Sequence, residues 1–455
     1  MPDPASPNLA NIVKAYDIRG IVPDELDESI ARDIGAAFVR VVGADRIVTA
    51  HDMRDSSPGL ARAFADGATS QGADVVEAGL GSTDLLYYAS GALSVPGAMF
   101  TASHNPAKYN GIKLCRAGAA PVGQDSGLAD IRALVEGGIP PYDGPAGTIS
   151  QRDMLSDYAA YVVSLVPGVT GIRRLSVVVD AGNGMGGLTV PVVFQHLPAD
   201  LTPMYFELDG SFPHHEANPI EPENLRDLQA KVRETGADIG LAFDGDADRC
   251  FVVDEKGDVV SPSVLTALIA TRELAKEPGA TIIYNLITSH AVPEIVAEHG
   301  GTAVRTRVGH SFIKGTMAET NAIFGGEHSG HFYFRDFWRA DSGMLAALHV
   351  LAALGQQDRP LSALLAEFTR YVASGEINSR VDDQAATMAA VRAAYAGREG
   401  VTTDDLDGLT VQLPDGSWFN LRASNTEPLL RLNVEAADEA AMSRVRDEVL
   451  ALLRG

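Results

Sequence analysis

Three times along the chain, short apolar runs give way to polar loops and then to stretches with helical spacing. This alternation limits the fold more than any other feature. Residues 46–50 precede the loop His51-Asp-Met-Arg-Asp-Ser-Ser57 and a helix over 58–71, and a strand over 74–78 precedes Gly79-Leu-Gly-Ser-Thr83. The pattern returns with strands over 175–180 and 239–243 and helices over 153–166 and 223–235. It returns again with helices over 262–275 and up to 299, around a strand over 281–286. Such alternation predicts α/β domains with parallel strands. From about residue 371 the character changes: helices over 384–396 and 437–454 bracket a hairpin at Leu413-Pro-Asp-Gly416, which reads as a smaller α+β domain. With the turn-rich stretch 137–150 as the first boundary, the expected domains are 1–147, 148–255, 256–370 and 371–455.

Sixty Asp and Glu against 36 Lys and Arg give a formal charge of −24. Such a surface repels nucleic-acid phosphates, so no nucleic-acid partner is expected, although a locally basic cleft can still take a small phosphate. Two cysteines, Cys115 and Cys250, provide neither a disulfide framework nor metal-cluster spacing. The first residues lack a basic segment followed by an apolar one, and no apolar run approaches the ~20 residues of a membrane span. A cytoplasmic protein is expected.

The segment Phe100-Thr-Ala-Ser-His-Asn-Pro106 ends an apolar run with small and polar residues, and Asn105-Pro106 forces a turn. Ser103 is thereby expected at the mouth of a strand, where open α/β sheets place their chemistry, although Ser-x-Asn-Pro also makes ordinary turns. Asn110-Gly111 predicts a hairpin turn that folds Lys113 back towards Ser103. In a partly dry pocket the pKa of that lysine would fall and it could serve as a base.

Asp244-Gly-Asp246-Ala-Asp248-Arg249 places three acids at alternate positions after a strand. On extended chain they share one face and repel one another unless a cation sits between them. Oxygen ligands of this kind select Mg²⁺, Ca²⁺ or Mn²⁺. An EF-hand is excluded, because Arg249 stands where its glycine belongs and strands flank the loop. Gly182-Asn-Gly184-Met-Gly-Gly187 after a strand formally satisfies a dinucleotide fingerprint, which leaves a nicotinamide-dependent oxidoreductase as a rival reading. A non-catalytic sugar-phosphate or metal binder is a second rival.

Further on, Arg305-Thr-Arg307-Val-Gly-His310-Ser311 is locally basic ahead of a helix, a setting that suits an anion. Glu327 and Ser329, alternating after a strand, offer an acceptor pair for vicinal hydroxyls, with His331 on the same side as an acid or base. Arg422-Ala-Ser424-Asn425-Thr426 gathers one arginine and three short donors into a phosphate cradle.

Together with Tyr16-Asp-Ile-Arg-Gly20, the clusters at 101–106, 244–249, 309–311, 326–331 and 422–428 occur in an order that resembles the α-D-phosphohexomutase superfamily, and within it the bacterial phosphomannomutase/phosphoglucomutase group. The resemblance implies three similar mixed α/β domains plus a smaller C-terminal α+β domain around a central cleft. It implies an enzyme that interconverts hexose 6-phosphate and hexose 1-phosphate, of mannose or glucose, through a phosphoserine and a hexose 1,6-bisphosphate. In that reading Ser103 carries the phosphoryl group, one Mg²⁺ is held by Asp244, Asp246, Asp248 and the phosphorylated Ser103, and His104 and Arg249 assist. Lys113 and His331 look like the base and acid, and Glu327 and Ser329 like the sugar readers. Tyr16, Arg19, His310, Arg422, Ser424, Asn425 and Thr426 look like further substrate contacts. The implied partners are small sugar phosphates, without nucleic acid or membrane, and the chain is a monomer or a homodimer. Two departures stand out. His328 replaces the methionine frequent in the group and the glutamine usual in phosphoglucosamine mutases, which keeps that activity as an alternative. Ile287 stands where some relatives have a lysine, so phosphate charge is expected to come from Arg305 or Arg307.

Overall fold

The computed structural model describes residues 9–423 and 429–454, apart from the side chains of His310 and Ser311. By compactness these residues divide into two units. The first comprises the chain up to Ser261 together with Ser329–Leu364, and the second comprises Pro262–His328 and the chain from Leu365 onward.

In the first unit a mixed sheet runs in the order Ile18–Ile21, Tyr109–Arg116, Gly97–Phe100, Arg46–His51, Asp74–Leu80 and Ile149–Gln151, with Ala120–Pro121 beside Tyr109–Arg116. The last four of the six strands are mutually parallel, as the strand–loop–helix alternation predicts. Tyr109–Arg116 runs antiparallel to both its neighbours. The helices Glu28–Val42, Ser57–Ser70 and Leu128–Gly137 share one core with a face of this sheet. Asp27 caps the first turn of Glu28–Val42 by accepting from the amide of Ile30, and Ile34 and Phe38 point inward to meet Phe64 and Phe100 in the core. Burial of such aromatic side chains contributes roughly 1.5–3 kcal/mol each. A second sheet runs Val259–Val260, Cys250–Val253, Ile239–Phe243, Leu175–Asp180 and Ala199–Met204, parallel only among the last three. All of Ile239–Phe243 and Cys250–Val253 is buried, so the acidic loop between them leaves from the interior of the unit.

The segment that returns to this unit after residue 328 contributes the antiparallel pair Phe332–Phe334 and Ala340–Asp341 and the helix Gly343–Gly355. Every residue of that helix except Ala353 is buried. Ser342 caps its start by accepting from the amide of Leu345, and the same hydroxyl donates to the buried Asp84.

The second unit contains three parallel strands, Thr302–Thr306, Thr281–Asn285 and Phe324–Gly326, with helices Pro262–Lys276 and Ala291–Glu298. It also holds an antiparallel sheet ordered Val372–Arg380, Leu429–Ala436, Trp418–Ala423, Leu409–Gln412 and Thr402–Asp404. Helices Gln384–Tyr395 and Glu439–Arg454 bury Val391, Tyr395, Val445 and Val449 against that sheet. The fold is therefore α/β with an α+β terminal part, the class expected. Among the described residues no helix is long and apolar enough to cross a membrane.

Two local expectations are corrected. Asn110-Gly111 is not a turn but lies inside the strand Tyr109–Arg116, where the Asn110 amide donates to the hydroxyls of Ser56 and Ser57. The connection between the antiparallel strands is the Ser103 loop itself. Likewise, Asp244 to Asp248 is a turn and not extended chain, with Ala247 at φ +58°.

Candidate active site

The strand Gly97–Phe100 stops where the Thr101 hydroxyl accepts the amide of Ser103, at 2.9 Å. That bond turns the chain and holds Ser103 at φ +49°, a left-handed conformation that a non-glycine residue adopts only under constraint. The Ser103 hydroxyl donates to Asp244 Oδ2 at 2.7 Å and lies 3.3 Å from His104 Nδ1. Arg249 closes this group. Its Nε donates to Asp244 Oδ2 at 2.9 Å, its Nη2 reaches Ser103 Oγ at 3.2 Å, and it also contacts His104 Nδ1. Ser103 is 5 % exposed and Arg249 3 %, so these interactions act where water screens little.

The carboxylates of Asp244, Asp246 and Asp248 lie within 4.8 Å of one another, all buried. They converge because the turn at Ala247 brings them round, not because strand positions alternate. Lys113 joins them by strand register. It sits opposite Met99 on the neighbouring strand, and its ammonium donates to Asp246 Oδ2 at 2.7 Å and to Asp248 Oδ2 at 2.6 Å. Asp246 also accepts from the Thr83 hydroxyl at 2.5 Å, and its backbone carbonyl accepts the Thr83 amide. Asp246 Oδ1 and Asp248 Oδ1 remain buried without a hydrogen-bond partner among the described residues. Three carboxylates against two cations, with oxygens left unsatisfied, is a donor set that fits a hard divalent cation.

Protonation follows from this packing. Burial pushes Asp244 up to about 7, against the opposing pull of Arg249 and with help from Asp248 and Asp246. Burial would raise Asp246 too, but Lys113, the Thr83 hydroxyl and Arg249 outweigh it and hold that carboxyl well below the usual range. Burial and the charges of Arg249 and Arg19 depress His104 to about 2, so its ring is neutral. For Lys113 the expectation of a lowered pKa is reversed: burial does lower it, but Asp246 and Asp248 outweigh that and raise it well above its ordinary value.

Other expected residues fall into place by unit. His331 places Nε2 3.6 Å from Asp248 Oδ1, and its Nδ1 lies 2.9 Å from the Ser329 hydroxyl. Arg19 pairs with Asp17 and donates to Asn105 Oδ1 at 2.6 Å, beside the Ser103 loop, and Tyr16 is half-buried in the same segment. In the second unit the Glu327 carboxylate accepts from the amide of Gly309 at 3.1 Å and from Asn285 at 3.4 Å. Arg422 faces Glu376 at 3.5 Å and Asp407 at 3.8 Å. Glu327 to Gly330 is a turn, so strand alternation does not align Glu327, Ser329 and His331. Ser424, Asn425 and Thr426 lie outside the described residues, as does the side chain of His310. Arg305 is held in an ion pair with Asp404 at 2.7 Å, and the Arg307 guanidinium lies over the Phe312 ring. Burial lowers the pKa of His328, which favours its neutral form.

The glycine-rich loop at 182–187 is spent on packing. A Cβ at Gly184 would lie 2.6 Å from the carbonyl oxygen of Gly245, so the loop backs directly onto the acidic turn. Two residues were not singled out from the sequence. Thr83, which orients Asp246, and Arg54, which binds the Ser103 loop, both follow parallel strands in loops rich in polar residues. That position was the available signal.

A hydroxyl held between a carboxylate and a guanidinium, beside an acidic nest suited to a divalent cation, is equipped to accept and return a phosphoryl group. Comparison with known proteins agrees. Domains described as phosphoglucomutase/phosphomannomutase α/β/α domains I, II and III match residues 10–138, 156–257 and 261–371, and the C-terminal domain of the same proteins matches 376–452. The chain is 42 % identical over 447 residues to a protein named phosphohexose mutases from Xanthomonas campestris, covering 97 % of this chain and 99 % of that one. It is 41 % identical to a phosphomannomutase of Escherichia coli, covering 97 % and 98 %. A solved phosphoglucomutase/phosphomannomutase family protein from Burkholderia thailandensis superposes with a TM-score of 0.87 at 35 % identity, covering 98 % and 97 %. The chain belongs to the phosphoglucomutase/phosphomannomutase family and is an enzyme of its mutase class.

Proposed function

We propose that this enzyme interconverts the 6- and 1-phosphates of mannose and/or glucose through a phosphoryl group carried on Ser103. The observation that supports it most is the Ser103 hydroxyl donating to Asp244 while Arg249 binds both. A serine phosphate carries nearly two negative charges, which an acidic chain would repel without such a cation. Arg249 lies where it can neutralise part of that charge from a fixed position. Asp244, Asp246 and Asp248 would hold Mg²⁺, which supplies charge neutralisation to the phosphoryl group when bound. Lys113 and His331 are the side chains set to hold or move a proton at the sugar hydroxyl that gives or takes the group. Glu327 and Ser329 would read the sugar, and Arg422 with residues 424–426 would bind the phosphate that is not transferred. Hexose 1,6-bisphosphate would turn over between the two transfers. The domain division at 147, 255 and 370 and a cytoplasmic setting belong to the same reading.

The test is turnover of mannose 1-phosphate and glucose 1-phosphate with Mg²⁺, in wild type and Ser103→Ala, alongside intact mass before and after phosphatase treatment. Loss of at least several orders of magnitude in the variant is expected, as for removal of a covalent nucleophile. A variant with near-normal turnover would remove Ser103 from the role.

A further inference from the structure

The Ser103 loop is held from behind by one side chain. Arg54 is only 1 % exposed, and its guanidinium is spread over four backbone carbonyls of the loop that carries the hydroxyl. Nη2 donates to the carbonyl oxygens of Ser103 at 2.9 Å and Asn105 at 2.7 Å. Nη1 donates to those of Pro106 at 3.0 Å and Tyr109 at 2.9 Å. The fifth donor, Nε, is taken by Asp52 Oδ2 at 3.2 Å, so the planar fork is fully used. Asp52, fully buried, is itself fixed by the Ser57 hydroxyl at 2.6 Å and by the amide of Arg54 at 3.0 Å. On the other side the guanidinium lies 5.1 Å from the centre of the Phe212 ring, on the loop that follows the strand Ala199–Met204 of the second sheet.

These contacts are selective. A buried arginine serving stability alone needs only its counter-ion and any nearby acceptors. Here every acceptor other than Asp52 is a main-chain carbonyl between Ser103 and Tyr109, and no shorter or singly pointed donor could reach all four. Ser103 meanwhile holds a left-handed conformation that only its surroundings can maintain. We propose that Arg54 is a positioning residue for phosphoryl transfer, holding the loop so that the Ser103 hydroxyl stays aligned with Asp244 and Arg249. The inference rests on the reading of Ser103 given above.

The test uses the full chain, first dephosphorylated and then given glucose 1,6-bisphosphate and Mg²⁺. Ser103 phosphorylation is followed by intact mass, and kcat and KM are measured for glucose 1-phosphate. Arg54→Lys keeps the charge and loses the fork. It is expected to slow phosphorylation and lower kcat about 100-fold, as a shift of about 1 Å in a reacting group can, with KM within threefold. Asp52→Asn leaves all four carbonyl bonds in place and is expected to stay within about tenfold of wild type. Equal losses in the two variants, an effect confined to KM, or wild-type phosphorylation by folded Arg54→Lys protein would overturn the proposal. If Arg54→Lys does not fold, the charge-neutral double variant Asp52→Asn/Arg54→Met replaces it with the same expectation. Failure of that variant to fold as well would mark Arg54 as purely structural and also overturn the proposal. A wild-type protein that takes up no phosphoryl group sinks the Ser103 reading and this one with it, whereas the variant results sink this one alone.

Discussion

Gly245→Ala tests the packing of the centre most directly. A Cβ at residue 245 would lie 2.4 Å from the carbonyl oxygen of Ser103, about 1 Å short of the 3.4 Å at which ordinary contact begins. No flexible side-chain end is available to yield, because the neighbour is main chain and is itself bonded to Arg54 at 2.9 Å. Either the acidic turn or the Ser103 loop must therefore move by about 0.6–1 Å to restore a contact of 3.0–3.4 Å. Overpacking of this kind costs roughly 1–3 kcal/mol of stability. If the loop moves, the hydroxyl loses alignment, and a displacement near 1 Å lowers kcat by about 100-fold, equivalent to about 2.7 kcal/mol of barrier. Mutase turnover and differential scanning calorimetry read the two effects separately. Gly137→Ala is the control: a Cβ there meets nothing within 4 Å near the end of the helix Leu128–Gly137, and it is expected to be neutral or stabilising by up to about 1 kcal/mol. Gly245→Ala protein with kcat within threefold of wild type and an unchanged melting temperature would refute the reasoning.

Asp246→Asn removes a carboxylate from the acidic nest and is expected to raise the Mg²⁺ concentration for half-maximal activity at least tenfold; chelator should abolish wild-type turnover and added Mg²⁺ restore it, and an unchanged Mg²⁺ titration would count against these ligands. Burial lowers the pKa of His215, but its bond to Asp180 at 2.9 Å helps outweigh that and the folded-state pKa is raised. The folded state then binds the proton more tightly, so this stabilisation is full below the unfolded value near 6.5 and fades as pH rises through the folded value. The melting-temperature gap between wild type and His215→Asn should accordingly narrow from pH 6 to pH 9, and a gap that widens contradicts the assignment. Glu435→Ala strips a buried acceptor from the Trp418 indole at 2.9 Å and the His290 amide at 2.9 Å, for an expected loss of roughly 1–3 kcal/mol per orphaned donor, read as a lower melting temperature.

How much of this could be read from the chain depends on the range of the signal. Parallel strands and their loops follow from local periodicity, and the Ser103 and Asp244–Asp248 clusters stand out because apolar runs end in them. Lys113 was expected near Ser103 for a reason that failed. Asn110-Gly111 forms no turn, and the lysine arrives through pairing of residues 97–100 with 112–115, a register that no local motif encodes. Its charge state is no more local, since two carboxylates more than 130 residues away decide it. Thr83 and Arg54 carry no local signature, because a threonine or arginine after a strand has no distinctive spacing. What marks them is what they bind, and those partners are distant in sequence.

The helix Gly343–Gly355 belongs to a unit whose chain departs at residue 261 and comes home only at 329. A nascent polypeptide reaching Ser261 has therefore made both of that unit's larger sheets and still lacks the apolar rod that belongs with them. Until about residue 355 emerges, the hydrophobic surface it will cover waits for protection, so chaperone engagement should persist through translation of the inserted stretch. For the same reason an amino-terminal fragment ending at 261 is expected to precipitate, whereas one that splices 329–364 onto it has a complete interior.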